Sequence, residues 1–349
     1  MRRYPGFLNN LQTQIENLPE KTFKRVSRAG GLDIHDLLAL LIEPKDHTVD
    51  CPDTVSQDEI FHYSQIGDNE TLGAKLVQDD AVSFCILAGG AGTRAGGPKC
   101  LLKFSNGESL LSTKIRQAGA LTNIWVIVSH GLRQAVVDHL NSLQLMNDSI
   151  RIIEQYESVR LTPDNQLFLD GNEPSLYPCG HGDAIPALVS ANLVKEFTQS
   201  GGKHIYIVNV DNVVAGLDKS ILGLHHNSNL PVTCEVVKKN EGDAGGFLCK
   251  HSGINQIVES FRMSSETDVT KFQHINTNTM IVKADLDFST INWSWHRVKK
   301  QLDGKLVIQY ERLLQQLTEH FKTQFVEVDR QKRFTPVKSA SDLDKLKFA

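Results

Sequence analysis

From residue 81 onward, short apolar runs alternate with amphipathic stretches. Residues Val82–Leu87, Ile124–Val128, 205–210 and 232–237 read as buried strands. The stretches around 109–119 and 184–197 read as helices between them. Strand and helix in alternation over steps of ~30 residues predict an α/β fold with a largely parallel sheet. Ligands of such sheets gather at the carboxyl ends of the strands. Residues 1–78 differ: Phe7, Leu8, Leu11 and Ile15, then Leu37, Leu38, Leu40 and Leu41, follow a helical period interrupted by Pro19, Pro44 and Pro52. This predicts an N-terminal helical extension, with the α/β unit over 79–349. In its last part, 286–349, apolar pieces at 306–308 and 325–328 flank an expected helix at about 310–322, and Ser339 or Ser341 is placed to cap a final short helix.

The 349 residues suit one large domain with an extension, or two domains. With 40% apolar and 22% charged residues the chain is an ordinary folded protein rather than a disordered or fibrous one. A formal charge of −4 supplies no global positive field, which argues on electrostatic grounds against nucleic acid or an anionic membrane as the main partner. The six cysteines show no CxxC pair and no metal-ligand spacing, which predicts buried free thiols in a reducing compartment. No apolar h-region follows Arg2 and Arg3, and no stretch reaches the ~18–20 apolar residues that cross a bilayer. The expectation is a soluble, cytoplasmic protein.

Candidate chemistry begins directly after the first strand. The segment AGGAGTRAGGPK, residues 88–99, holds Gly89, Gly90, Gly92, Gly96 and Gly97. Glycines permit close backbone approach, so several N–H groups can converge on a phosphate, and Arg94 and Lys99 add the cations a triphosphate needs. The loop is no P-loop, because Lys99 follows Pro98 and precedes Cys100, and the GxGxxxG spacing misses the dinucleotide fingerprint. Further on, Gly180-His181-Gly182-Asp183 precedes a helix of small residues, whose N-terminal amides suit an anion or a sugar hydroxyl; a turn histidine is the plain alternative for His181. The strand KHIYIVNVDN then delivers Asn209, Asp211 and Asn212 to its carboxyl end. A carboxylate there suits Mg²⁺, which takes one or two carboxylates plus phosphate oxygens, the alternative being an aspartate that caps a turn.

The glycine loop, GHGD and NVDN together resemble the UDP-glucose pyrophosphorylases (UTP:glucose-1-phosphate uridylyltransferases). Gln155 in IIEQ, EVVKKNEGDAGG at 235–246, HINTN at 274–278, KQLDGKLVIQYE at 300–311 and RFTPVK at 333–338 follow in the same order. The resemblance spans about 82–345 and implies a Rossmann-like (GT-A-like) nucleotidyltransferase fold with a mainly parallel central sheet. It implies that Gly89, Gly90 and Gly92 meet the nucleotide, with Gln155 reading the uracil edge and Gly182 beside it. Lys99, Arg94 and Lys338 would carry catalysis by neutralising phosphates, and Asp211 would bind Mg²⁺. His181, Asn212, Gly246 and Asn278 fall on the sugar-phosphate side. The implied substrates are UTP and a sugar 1-phosphate: glucose 1-phosphate first, galactose 1-phosphate or another as the alternative, and a non-catalytic nucleotide-sugar binder as the rival from another class. Ala91 and Ala95 replace larger apolar residues of the family loop, and no C-terminal β-helix follows Ala349, so a monomer or small homo-oligomer is expected.

Overall fold

Side chains of the central strands are buried on both faces, as covered parallel strands require. The computed structural model describes residues 8–90 and 97–343. In chain order the strands that matter here are β1 (Phe61–His62), β2 (Val82–Leu87), β3 (Ile124–Val128), β4 (Ile150–Glu154), β5 (His204–Asn209), β6 (Val232–Lys238), β7 (Gly246–His251), β8 (Ile254–Glu259), β9 (His274–Lys283), β10 (His296–Leu302), β11 (Lys305–Glu311) and β12 (Thr323–Glu327). Ten of them, all but the β10–β11 hairpin, join in one sheet of order β1-β12-β6-β9-β5-β2-β3-β4, with β7 pairing to β8 and β9.

Pairing is parallel from β5 through β2 and β3 to β4, and from β6 through β12 to β1. Strand β9 runs antiparallel between β5 and β6, so the largely parallel sheet carries one reversed strand at its centre. Alternation along each strand sends side chains into two cores. Cys85, Leu87, Trp125, Ile127, Ile205 and Ile207 face one core. It is completed by the helices Asn9–Glu16, Glu20–Val26, Ile34–Ile42, Ala184–Ser190 and Leu193–Gln199. Phe84, Ile86, Val126, Val128, Tyr206 and Val208 face the other, against Glu70–Gln78, Leu110–Gln117, Arg133–Ser142 and Lys219–Ser228. Most of the helical N-terminal segment thus covers one sheet face, while its last helix, Glu70–Gln78, packs on the other, and the segment also donates β1 to the sheet edge. Among the described residues no helix is long and apolar enough to cross a membrane.

Two expected elements differ. The helix at 184–197 is broken by Asn192, whose φ of +58° is left-handed. The helix at 310–322 shrinks to Leu317–His320 after a 3₁₀ turn at Leu314–Gln316. Asp303 and Gly304 both take positive φ and close a tight hairpin, so the chain stays extended through Glu311.

Candidate active site

The site assembles where β2 and β5, adjacent and parallel, end side by side with Leu87 paired to Asn209. After β2 the chain turns through Gly89 and Gly90; after β5 it delivers Asp211. Lys99 returns on a 3₁₀ turn, its N–H bonded to the Gly90 carbonyl at 3.4 Å, and places Nζ 2.7 Å from Asp211 Oδ2. The loop behind Asp211 is fixed from below by helix Leu110–Gln117. Buried Lys114 donates to the Ala215 carbonyl at 2.7 Å, and Gln117 donates to that of Val213 at 2.6 Å. Burial lowers the Lys114 ammonium to about 7.

Two lobes of a cleft meet at Asn209 and Asp211. The first, about 340 Å³, is lined by Gly89, Gly90, Lys99, Gln155, Gly180, His181, Lys300 and Glu311, among others. Gln155 follows β4, with its N–H bonded to the Val128 carbonyl, and its side-chain amide lies over Gly89 so closely that a Cβ there would stand 2.0 Å from Oε1. His181 accepts the Leu314 N–H on Nδ1 at 2.9 Å, which leaves the proton on Nε2. Burial, reinforced by Lys300, depresses the imidazole to about 4, so His181 faces the cleft as a neutral ring.

The second lobe, about 250 Å³, is lined by Asp211, Asn212, Gly245, Gly246, Glu259, Asn276, Asn278 and Lys338, among others. Asn278 sits inside β9 with a φ of +58°, where the register against β6 slips between Cys234 and Val236. Such a bulge re-aims a side chain and is typical beside ligand sites. Asn278 Oδ1 accepts from Asn276 Nδ2 at 2.7 Å and from Gln315 Nε2 at 3.3 Å, so its Nδ2 donor is left for the cleft. Burial is the main force raising the Glu259 carboxyl to about 7, against the pull of Arg262 and Lys300. Lys338 arrives on a strap: Asn212, 1% exposed, donates to the Arg333 carbonyl and accepts the Thr335 N–H, and the Val337 N–H donates to the Asp211 carbonyl at 2.8 Å. Arg333 anchors the strap through Glu235, Tyr206 and the Gly216 carbonyl.

Of the residues singled out from sequence, Gly89, Gly90, Lys99, Gln155, His181 and Asp211 line the first lobe, and Asp211, Asn212, Gly246, Asn278 and Lys338 the second. Gly92 and Arg94, like Ala91 and Ala95, lie outside the described residues. Gly182 points away from the cleft. Its N–H donates to the Arg312 carbonyl at 3.0 Å, and a Cβ would stand 2.5 Å from Arg312 C and Leu313 N, so it is glycine for close backbone packing. Gly180, with a φ of +94°, is the glycine at the cleft wall. The amide of Asn212 is occupied by the strap, which makes it a support for Lys338. Sequence reasoning missed Glu259, Lys300 and Glu311. Lys300 and Glu311 belong to the hairpin that the Asp303-Gly304 turn marks, whereas Glu259 carries no local sequence signal. Among the described residues no group of three or more His, Cys, Asp or Glu side chains is arranged to hold a metal ion, so a cation here would rely on Asp211 and on its own ligands.

Comparison with known proteins points the same way. Residues 40–347 match the family model described as UTP--glucose-1-phosphate uridylyltransferase. A UTP--glucose-1-phosphate uridylyltransferase of Encephalitozoon cuniculi is 25% identical over 311 residues, covering 82% of this chain and 62% of the relative. That of Hordeum vulgare is 27% identical over 306 residues, covering 78% and 63%. The chain therefore spans about three fifths of the length of these relatives. The crystal structure of a mutant UDP-glucose pyrophosphorylase from Leishmania major in complex with UDP-glucose superposes with a TM-score of 0.74 at 18% identity, over 98% of this chain and 79% of that one. The UDP-glucose phosphorylase of Trypanosoma brucei gives 0.73 at 21%, over 97% and 77%. The nucleotidyltransferase fold is thereby shared, and by its match over most of its length the chain belongs to the UTP–glucose-1-phosphate uridylyltransferase family.

Proposed function

We propose that this protein joins UTP and glucose 1-phosphate into UDP-glucose, releasing pyrophosphate. The observation that carries this reading is the placement of Lys99 in one lobe and Lys338 in the other, with Asp211 shared by both. One lobe has glycine backbone and an amide for a nucleobase; the other has Asn278, Glu259 and Gly246 for a hexose. A phosphate oxygen of the sugar phosphate attacks the α-phosphorus of UTP in line. The bond from that phosphorus to the oxygen bridging it to the β-phosphate breaks, and the electron pair leaves with pyrophosphate. Because the attacking phosphate is already ionised, the chain needs no general base. Its task is to bring two anions together, and the ammonium groups of Lys99 and Lys338 offset their repulsion while the lobes fix the line of attack. The Gln155 amide offers both a donor and an acceptor to a uracil edge, and the neutral His181 offers Nε2–H to a phosphate or hydroxyl oxygen.

Asp211 is chemically suited to Mg²⁺, because that ion takes few protein carboxylates and completes its shell with phosphate oxygens and water. When bound, the ion would supply charge neutralisation on the phosphates. Purified protein offered a panel of sugar 1-phosphates against UTP and the other triphosphates, with released pyrophosphate as readout, tests the proposal. Glucose 1-phosphate with UTP is expected to turn over fastest. Preference for galactose 1-phosphate would reassign the sugar, and nucleotide binding without pyrophosphate release would leave a binding protein.

A further inference from the structure

The hexose lobe is held by a residue that does not line it. Gln315 lies on the 3₁₀ turn after the β10–β11 hairpin and is 1% exposed. Its Nε2 donates to Glu259 Oε1 and, at 3.3 Å, to Asn278 Oδ1, spanning the two side chains that face the lobe from β8 and β9. Its own position is set by the turn, since the Gln315 carbonyl accepts from Thr318 Oγ1, which in turn accepts the Ile257 N–H of β8. Gln315 Oε1 has no hydrogen-bond partner, so the side chain is anchored through its donor alone.

The consequence is one of polarity. With Asn278 Oδ1 taken by Gln315 and Asn276, the amide of Asn278 cannot turn over, and it offers the lobe only its Nδ2 donor. With Glu259 Oε1 taken by Gln315, the other carboxylate oxygen is left to accept. A fixed donor beside a fixed acceptor matches two neighbouring hydroxyl groups, one accepting and one donating, in a single relative configuration. Asn276 keeps Asn278 in this sense by itself, so it is the orientation of Glu259 that depends on Gln315, and an unpinned Glu259 would adapt to either epimer.

We propose that Gln315 is a positioning residue that fixes the Glu259 acceptor of the sugar lobe beside the Asn278 donor, and so the configuration of the sugar phosphate that binds. This rests on the reading of the second lobe as the hexose site. Gln315→Met keeps the length of the side chain and removes its donor. Calorimetric titration of wild type and variant with glucose 1-phosphate and galactose 1-phosphate, in the presence of UDP, is the direct test. Wild type is expected to favour one epimer. In Gln315→Met the preferred epimer weakens on the order of tenfold, the ratio between epimers contracts toward one, and UTP affinity stays within about twofold, as loss of a charge-assisted hydrogen bond predicts. A folded Gln315→Met protein with unchanged epimer preference overturns the proposal, and so does a parallel loss of UTP and sugar affinity with a lowered Tm, the mark of a merely structural role. Titration needs no turnover, so a wild type that binds the sugar phosphate selectively yet releases no pyrophosphate sinks the proposed reaction while Gln315 is still judged.

Discussion

Lys99 Nζ and Asp211 Oδ2 lie 2.7 Å apart, although 112 positions separate the residues in the chain. The ion pair closes the exit of the glycine loop onto the end of β5. Each member also stands where a substrate would claim it: a phosphate for the ammonium, a cation for the carboxylate. Both side chains are partly exposed, at 21% and 24%, so the pair contributes little to folding, about 0–1 kcal/mol. Lys99→Met should therefore leave Tm nearly unchanged and lower turnover on the order of 10²–10³, the scale for removing one preorganised electrostatic contact. Pyrophosphate release at the wild-type rate would take Lys99 out of the chemistry.

Gly89 has no side chain because Gln155 occupies that space. A Cβ would stand 2.0 Å from Gln155 Oε1, and the Gly89 carbonyl is tied to Ser129 Oγ, so it is the glutamine amide that must move. Gly89→Ala is expected to weaken UTP on the order of tenfold, equal to about 1.4 kcal/mol, and to narrow the preference for UTP over CTP, with glucose 1-phosphate affinity unaffected. Competitive titration of the two triphosphates checks it; an unaltered ratio would mean that Gln155 does not read the base.

The parts of the fold legible in the sequence are those set by local burial. Val82–Leu87 and Ile124–Val128 are continuous apolar runs, and the strands keep those bounds because both faces are covered. Strand β9 was legible only as the motif HINTN. Its inward face is polar where it lines the cleft, through Asn276 and Asn278, so apolar periodicity does not mark it. The Asp303-Gly304 turn carried the signal for the final hairpin, but apolar spacing over 310–322 fits a helix as well, and only pairing with β10 decides between them. Lys99 was singled out by the glycine loop and Asp211 by the end of its strand, whereas Lys338 was reached only through the resemblance of RFTPVK; the fold brings all three to the cleft. Gly182 was misplaced because a glycine needed for packing and one needed for a ligand look alike in sequence. Glu259 was missed because only the folding of β8 against the 3₁₀ turn buries it.

Asn212 tests whether the strap matters to catalysis. Its amide holds the chain on either side of Phe334, through the Arg333 carbonyl and the Thr335 N–H, and Lys338 lies three residues beyond that grip. Asn212→Ala leaves both backbone groups without that partner, at a cost of about 1–3 kcal/mol in stability. The larger effect should fall on turnover, about tenfold or more, through a mispositioned Lys338, while UTP affinity at the far lobe holds. If Asn212→Ala lowered Tm and left kcat intact, the strap would be structural only.

Glu259 gives the site a pH dependence whose sign is fixed by its burial. The carboxyl rises from 4.5 to about 7 on folding, chiefly through desolvation, so the folded chain holds a proton there that the unfolded chain has already released. Its contribution to stability is therefore complete below about pH 4.5 and is lost as the pH rises through 7. Sugar binding runs the opposite way, because the carboxylate oxygen facing the lobe accepts a hydroxyl proton only when ionised. Affinity for glucose 1-phosphate should rise between about pH 6 and 8, beyond the change owed to the ligand's own phosphate, whose second pKa is near 6. In Glu259→Gln the protein's share of that rise should vanish, and the Tm of the variant relative to wild type should climb between about pH 4.5 and 7, where the wild type loses this contribution. Titrations at fixed ionic strength with free phosphate as the reference separate the two contributions. An identical pH profile in wild type and Glu259→Gln would show that this carboxylate does not hold the sugar.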